Sequence, residues 1–157
     1  MLSAQDVARY FLTLVSEDEG DFLTNLKLQK LLYYAQGFSM ALLGSPLFPE
    51  KIEAWTYGPA VPDVYHAYKQ HGNGPLPLPQ NLDFSNYNSE VRALLDEVYV
   101  VYGQYTSSVL KNLTQNEPPW KNSSPKEEIS LNALHEYFQT QVVYTPRVRE
   151  AQCLERK

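Results

Sequence analysis

The run LKLQKLLYYAQGFSMALL at residues 26–43 constrains the fold of this chain more than any other feature. Wound as a helix that Thr24 or Asn25 can cap, it leaves little of its circumference polar. A helix that is apolar almost all round is buried, so this segment is predicted to be the central helix of the fold. Lys27 and Lys30 lie three positions apart and are expected to mark a narrow strip that reaches solvent.

Further helices are predicted on either side of this central segment, from capping residues and apolar spacing. Their expected starts are Ser3, Pro62, Ser89, Thr106 and Ser130. The helix after Thr106 is expected to stop at Pro118 and Pro119, because proline cannot continue a helix from its interior.

Residues 52–57 alternate in polarity with the period of a short strand, which Gly58 and Pro59 are expected to stop. Together these elements predict a mainly α fold. It is a single compact helical domain over residues 1–144, with a short β strand or hairpin near residues 51–57. Residues 145–157 are predicted to form a flexible C-terminal tail.

Composition excludes several classes of partner. The formal net charge is −5 and the body of the chain carries no basic patch, so binding to nucleic acid is not expected. No apolar run approaches the ~18–20 residues that a membrane span needs. Cys153 is the single cysteine and can form no internal disulfide, which favours a reducing cytoplasm. Twelve tyrosines favour a protein that binds other proteins.

Motifs for catalysis and metal binding are missing from the sequence. His66 and His71 are five positions apart and cannot share a helix face as metal ligands do at i and i+4. No GxSxG elbow, dinucleotide fingerprint or phosphate-binding loop is present. We therefore predict a protein that is not an enzyme and that uses no cofactor and no metal.

The stretch EAWTYGPAVPDVYHAYK at residues 53–69 gathers aromatic side chains on a backbone that proline restricts. The segment LTQNEPPWK at residues 113–121 shares this character. Such corners either serve packing alone or present a preorganised interface to a partner. The candidate partner-binding residues are Tyr57, Gly58, Pro59, Tyr65, Tyr68 and Trp120.

These segments resemble the Panacea-domain proteins, also called SocA-like. The resemblance is carried by the segments LTNLKLQKLLYYAQGFSMALLGSPLF, IEAWTYGPAVPDVYHAYKQHG, LTQNEPPWK and ISLNALHEYF, and it extends from about Ser3 to Gln139. It implies a small, mainly α domain that acts as the antitoxin of a bacterial or phage toxin–antitoxin pair. Such a protein neutralises a cognate protein toxin by binding it directly.

The resemblance also identifies a set of motif residues with expected structural roles. They are Leu28, Lys30, Leu31, Tyr33, Tyr34, Trp55, Gln115 and Pro119. This chain departs from the family pattern at Gln115, where a histidine is usual, and at Ala60, where a valine is usual. Glutamine can replace a hydrogen-bonding histidine, but it cannot exchange protons near neutral pH.

Two other functions stay open at this stage. One is a protease adaptor or phage accessory protein that recruits a host protease, with the weakly basic tail as its handle. The other is an enzyme that acts on nucleic acid or nucleotides, which the absence of catalytic motifs disfavours. Oligomeric state and the class of the toxin do not follow from the sequence.

Overall fold

The computed structural model describes residues 1–142, which form seven α-helices and a two-stranded antiparallel hairpin. In chain order the elements are α1 (Ala4–Thr13), α2 (Asn25–Leu42), β1 (Glu53–Trp55), β2 (Gly58–Ala60), α3 (Pro62–Tyr68), α4 (Ser89–Tyr102), α5 (Ser107–Gln115), α6 (Pro118–Lys121) and α7 (Leu131–Phe138). Short 3-10 turns lie at Glu17–Glu19, Lys69–His71 and Phe84–Asn86. The predicted mainly α fold with a small β element is confirmed.

Helix α2 is the centre of the fold, as its apolar circumference predicted. It packs most extensively against α7, and also contacts α1, α3, α4, α5 and the hairpin. The α2–α7 approach is close at Gly37, where a Cβ atom would lie 2.2 Å from the ring of Phe138. A buried helix must satisfy its own polar side chains internally, and α2 does so by hydrogen-bonding irregular segments around it. Gln36, for example, accepts from the Leu47 amide and donates to the Phe48 carbonyl, both at 2.8 Å.

The prediction that Lys30 reaches solvent is wrong. Its side chain is only 1% exposed, because the hairpin and α5 cover that side of α2. Lys27 is partly buried, and its ammonium donates to the Gly103 carbonyl oxygen at 2.5 Å. Helical spacing showed that the two lysines share a strip, but not which elements pack over it.

The hairpin corrects the prediction that Gly58 and Pro59 stop the strand, since they begin β2. Ala54 pairs with Pro59 across the ladder. Ala54 turns its own N–H and C=O outward, to the Glu127 carbonyl and the Lys126 amide. Pro59 therefore faces a position where no N–H is needed, which is where a strand tolerates proline.

Most helix boundaries follow the capping signals of the sequence. The Ser3 hydroxyl and the Asp6 carboxylate form a reciprocal capping box, and Thr24 caps α2. Two expectations need correction. Asn88, not Ser89, caps α4, because its side chain reaches the Val91 amide.

The second correction concerns the two adjacent prolines. Helix α5 ends at Gln115, and Pro118 and Pro119 then begin α6 instead of ending a helix. Proline suits the first turn of a helix, since the N–H that it lacks has no partner there.

The C-terminal predictions lie outside the described residues. These are the domain boundary at 144, the tail at 145–157 and the position of Cys153. In the described part of the chain, none of the helices is both long and apolar enough to cross a membrane.

Candidate functional site

The motif residues of α2 meet the hairpin through Lys30. Its ammonium lies beneath the hairpin turn and donates to the Pro59 carbonyl oxygen at 3.3 Å. Gly58 has a φ of +108°, and a Cβ there would lie 2.7 Å from the Lys30 Cε and 3.0 Å from the Thr114 hydroxyl. Burial, with the charge of Lys111 nearby, lowers the pKa of Lys30 to about 7. The close approach of hairpin and lysine needs a glycine at position 58.

Tyr33 and Tyr34 bind a second buried charged side chain, that of Glu117. Their hydroxyls donate to the two oxygens of the Glu117 carboxylate at 2.9 and 3.0 Å. Tyr137 of α7 adds another hydrogen bond. Burial raises the pKa of Glu117 to about 7, while these hydrogen bonds act in the opposite direction. Burial also raises the pKa of each tyrosine, so the hydroxyls remain protonated donors.

The segment from α5 to α6 forms hydrogen bonds with the end of β1 and with the turn of the hairpin. The Gln115 side-chain amide donates to the Thr56 carbonyl, and the Trp120 indole N–H donates to the Trp55 carbonyl, both at 2.8 Å. Gln115 thus acts as a hydrogen-bond donor to the backbone, a role that an amide fills without proton transfer.

The hairpin, the start of α3 and the segment from α5 to α6 meet in one corner of the molecule. The solvent side of this corner is aromatic. Tyr57 stands on the two-residue turn of the hairpin with 59% of its surface exposed. The Lys111 ammonium lies 5.3 Å from the centre of its ring, within the range of a cation–π contact. Tyr65 packs edge-on against Trp55, with ring centres 5.0 Å apart. Tyr57, Tyr65 and Lys69 line one recess of about 340 Å³ between the turn and α3.

The six predicted partner-binding residues do not form one continuous surface. Tyr57 and Tyr65 share the recess, whereas Gly58 and Pro59 are buried under the turn. The Tyr68 hydroxyl accepts from the Gln5 side chain at 2.6 Å, so this ring faces α1.

Trp120, the sixth residue of the set, is partly buried, and its indole N–H is used by the Trp55 carbonyl. The structure therefore places Tyr57 and Tyr65 where a partner can reach them together.

Sequence reasoning missed Glu117, Lys69 and Lys111. Glu117 lies more than 80 positions from the tyrosines that bind it, so no local spacing reveals the pair. One usable signal was present, since a carboxylate directly before two prolines stands at a helix start. Groups of three or more histidine, cysteine or carboxylate side chains suited to a metal ion do not occur among residues 1–142.

The chain matches a known protein family. The model of the family described as "Antitoxin SocA-like, Panacea domain" matches residues 28–121, which is more than half of the chain. The chain therefore belongs to this family. The matched span includes α2 from Leu28 onward, the hairpin, α5 and α6, the elements that build the corner.

A curated relative is similar over a shorter segment of the chain. Antitoxin SocA of Caulobacter vibrioides (strain NA1000 / CB15N) is 44% identical over 50 residues, which are 32% of this chain. The matched segment covers 27% of the length of that antitoxin. No solved structure matches the chain.

Proposed function

We propose that this protein is an antitoxin that binds a cognate protein toxin directly and blocks it by covering its surface. Membership of the SocA-like antitoxin family is the observation that carries the proposal. This role requires a rigid surface and no catalytic group. It agrees with the structural use of Gln115, which donates to a backbone carbonyl at the position where the family pattern has a histidine.

The exposed side of the corner suits such binding. Tyr57 offers a large amphipathic ring on a turn whose backbone Gln115 holds, so little conformational entropy is lost when a partner binds. Tyrosine is enriched where protein interfaces concentrate their binding energy. An interface of ordinary size buries roughly 1,200–2,000 Å² in total, so the recess would be one part of a wider contact.

A growth assay tests the proposal. The reading frames adjacent to the gene are expressed singly from an inducible promoter, with and without this protein. We expect one of them to arrest growth alone and to be harmless when this protein is present. The two proteins should then co-purify at a fixed stoichiometry, because the mechanism is occlusion and not turnover.

The proposal fails if no adjacent frame is toxic, or if this protein relieves the arrest without forming a complex. Loss of the toxin from the cell during rescue, measured by immunoblot, would indicate delivery to a protease in place of occlusion.

A further inference from the structure

The recess beside Tyr57 differs in charge from the rest of the protein. The chain carries 18 acidic and 13 basic residues, yet Lys69 is the only charged residue among the described residues that line the recess. The others are aromatic, apolar, amide or glycine residues. The recess is therefore locally positive on a negative protein.

A second lysine lies next to this recess. The Lys111 ammonium contacts the ring of Tyr57, and Tyr57 itself forms part of the recess wall. Within residues 1–142 the ion-pair distance is met by Arg9 and Asp6 alone, so neither Lys69 nor Lys111 is neutralised there by a carboxylate of this chain. Two lysines that form no ion pair with a described carboxylate thus lie at or next to the recess that the exposed Tyr57 ring lines.

The walls of the recess are held in place from inside. The Asn25 side chain donates to the Tyr65 carbonyl at 3.0 Å, which ties α3 to the start of α2. Gln29 donates to Asn25 and accepts from the Val61 amide, so this chain of hydrogen bonds reaches the end of the hairpin. A recess built on such supports is preorganised for binding.

We propose that this recess receives an acidic side chain of the toxin, with Lys69 as the pairing group and Lys111 as a second positive charge beside it. This inference rests on the proposed antitoxin function and specifies the chemistry of its partner surface. A carboxylate entering between the rings of Tyr57 and Tyr65 would form a charge-assisted hydrogen bond with the Lys69 ammonium. Its methylene groups would contact the two rings.

The same arrangement explains how a protein with net charge −5 would attract an acidic partner segment. Complementary local charge speeds encounter and orients the partner, and this effect weakens as salt rises. We expect the association rate with the toxin to fall when sodium chloride is raised from about 0.05 M to about 0.5 M.

The main experiment reverses both charges. The double variant Lys69→Glu/Lys111→Glu is compared with Lys51→Glu/Lys121→Glu, which changes net charge equally at two exposed lysines outside the recess. Growth rescue and affinity are measured against the toxin identified in the growth assay. We expect the first pair to weaken affinity on the order of tenfold to a hundredfold and the control pair to leave it nearly unchanged. Equal effects of the two pairs, or no effect of either, would overturn the inference while leaving the antitoxin function intact.

A second experiment needs no toxin, so it separates failure of this inference from failure of the proposed function. Amide resonances of the whole protein are followed by NMR during titration with a capped peptide of alternating glutamate and leucine. The control is the same peptide with glutamine in place of glutamate. We expect selective shifts at Tyr57, Tyr65 and Lys69 with the acidic peptide only, and their loss in Lys69→Glu/Lys111→Glu. Shifts elsewhere, or equal shifts with both peptides, would overturn the recess as an acidic-group site even if no adjacent toxin exists.

Discussion

Tyr57 and Gly58 are neighbours in the chain but lie on opposite sides of the same corner. Tyr57 extends into solvent beside Lys111, whereas Gly58 is pressed against the buried Lys30. The inner side is made of side chains from α2 that bind backbone and carboxylate groups. The outer side is made of aromatic rings and lysines at the protein surface.

The difference separates what stabilises the fold from what is available to a partner. The inner groups are buried, so removing one leaves a cavity or an unpaired polar group, and both are costly. The outer groups contribute little to stability, since exposed side chains away from such features usually contribute little.

The largest expected effect is on the inner side, at Tyr34. Tyr34→Ala removes a buried ring that stacks on Tyr102 at a centre-to-centre distance of 3.8 Å, and it removes the hydroxyl that donates to the Glu117 carboxylate. We expect a loss of about 3–5 kcal/mol in the free energy of unfolding, measured by chemical denaturation followed by circular dichroism. The control Tyr34→Phe keeps the ring and should lose only about 1 kcal/mol. An unchanged denaturation midpoint for Tyr34→Ala would contradict the structural role of the inner side.

The next largest loss of stability is expected at Gly58. Gly58→Ala places a Cβ at a φ of +108° and at 2.7 Å from the Lys30 side chain. We expect a loss of about 1–3 kcal/mol in the free energy of unfolding, from backbone strain and from displacement of the lysine. Gly44 is a matched control, because its φ is +74° but, apart from Gly44 and its two chain neighbours, no described residue has a heavy atom within 4 Å of the place that a methyl group would take. If Gly44→Ala costs as much as Gly58→Ala, contact with Lys30 adds nothing to the strain.

Burial of Lys30 makes the free energy of unfolding depend on pH. Its pKa is about 7 in the fold against an ordinary value of 10.5, so between these values the unfolded chain holds a proton that the native protein does not. Raising pH within this window stabilises the fold relative to the unfolded chain, because only the unfolded chain has a proton on Lys30 to lose. The slope is at most about 1.4 kcal/mol per pH unit. The gain in stability is complete above pH 10.5. It shrinks as pH falls from 10.5 to 7, and below about 7 it is gone.

The variant Lys30→Met tests this dependence. It retains the length and apolar stem of the side chain without the amine, so stability between pH 7 and 10.5 should become flatter than in the wild type. The measurement is the free energy of unfolding at several pH values across that window. An identical slope in the two proteins would show that Lys30 does not titrate as a buried amine.

The smallest effect on stability is expected on the outer side, at Tyr57. Tyr57→Ala should change the free energy of unfolding by less than about 0.5 kcal/mol. Under the proposed function it should nevertheless weaken rescue from the toxin. Val100→Ala is a suitable control, since Val100 is 50% exposed on α4 and lies outside the recess. A folded Tyr57→Ala protein that rescues growth as well as the control would remove Tyr57 from the interface.

Much of the fold was predictable because its signals are local. Ser3 and Thr24 cap their helices through side chains that reach three residues along the chain. The apolar circumference of α2 predicted burial on every side. Local rules failed where two of them apply to one residue. A proline ends a helix that precedes it and starts one that follows, and Pro118 does the second.

The candidate site was predictable only in part. The aromatic corner was found from its composition, and Tyr57 and Tyr65 do share one recess. Tyr68 was grouped with them because it is close in sequence, but the rotation of α3 turns it toward Gln5. Lys69, one residue further on, lies in the recess and was not selected, because a single lysine in a sequence does not show whether a carboxylate neutralises it.

The central helix, the starts of most other helices and the aromatic turn after a short strand can all be read from the sequence. These features depend on contacts within a few residues and on the period of apolar positions. Three features depend on how the chain packs: Lys30 is buried, Tyr33 and Tyr34 bind Glu117, and Tyr57 faces solvent while Gly58 does not. The physical reason is that burial and pairing depend on which distant segments pack together, and a lysine or glutamate looks the same in the sequence whether water or another helix covers it.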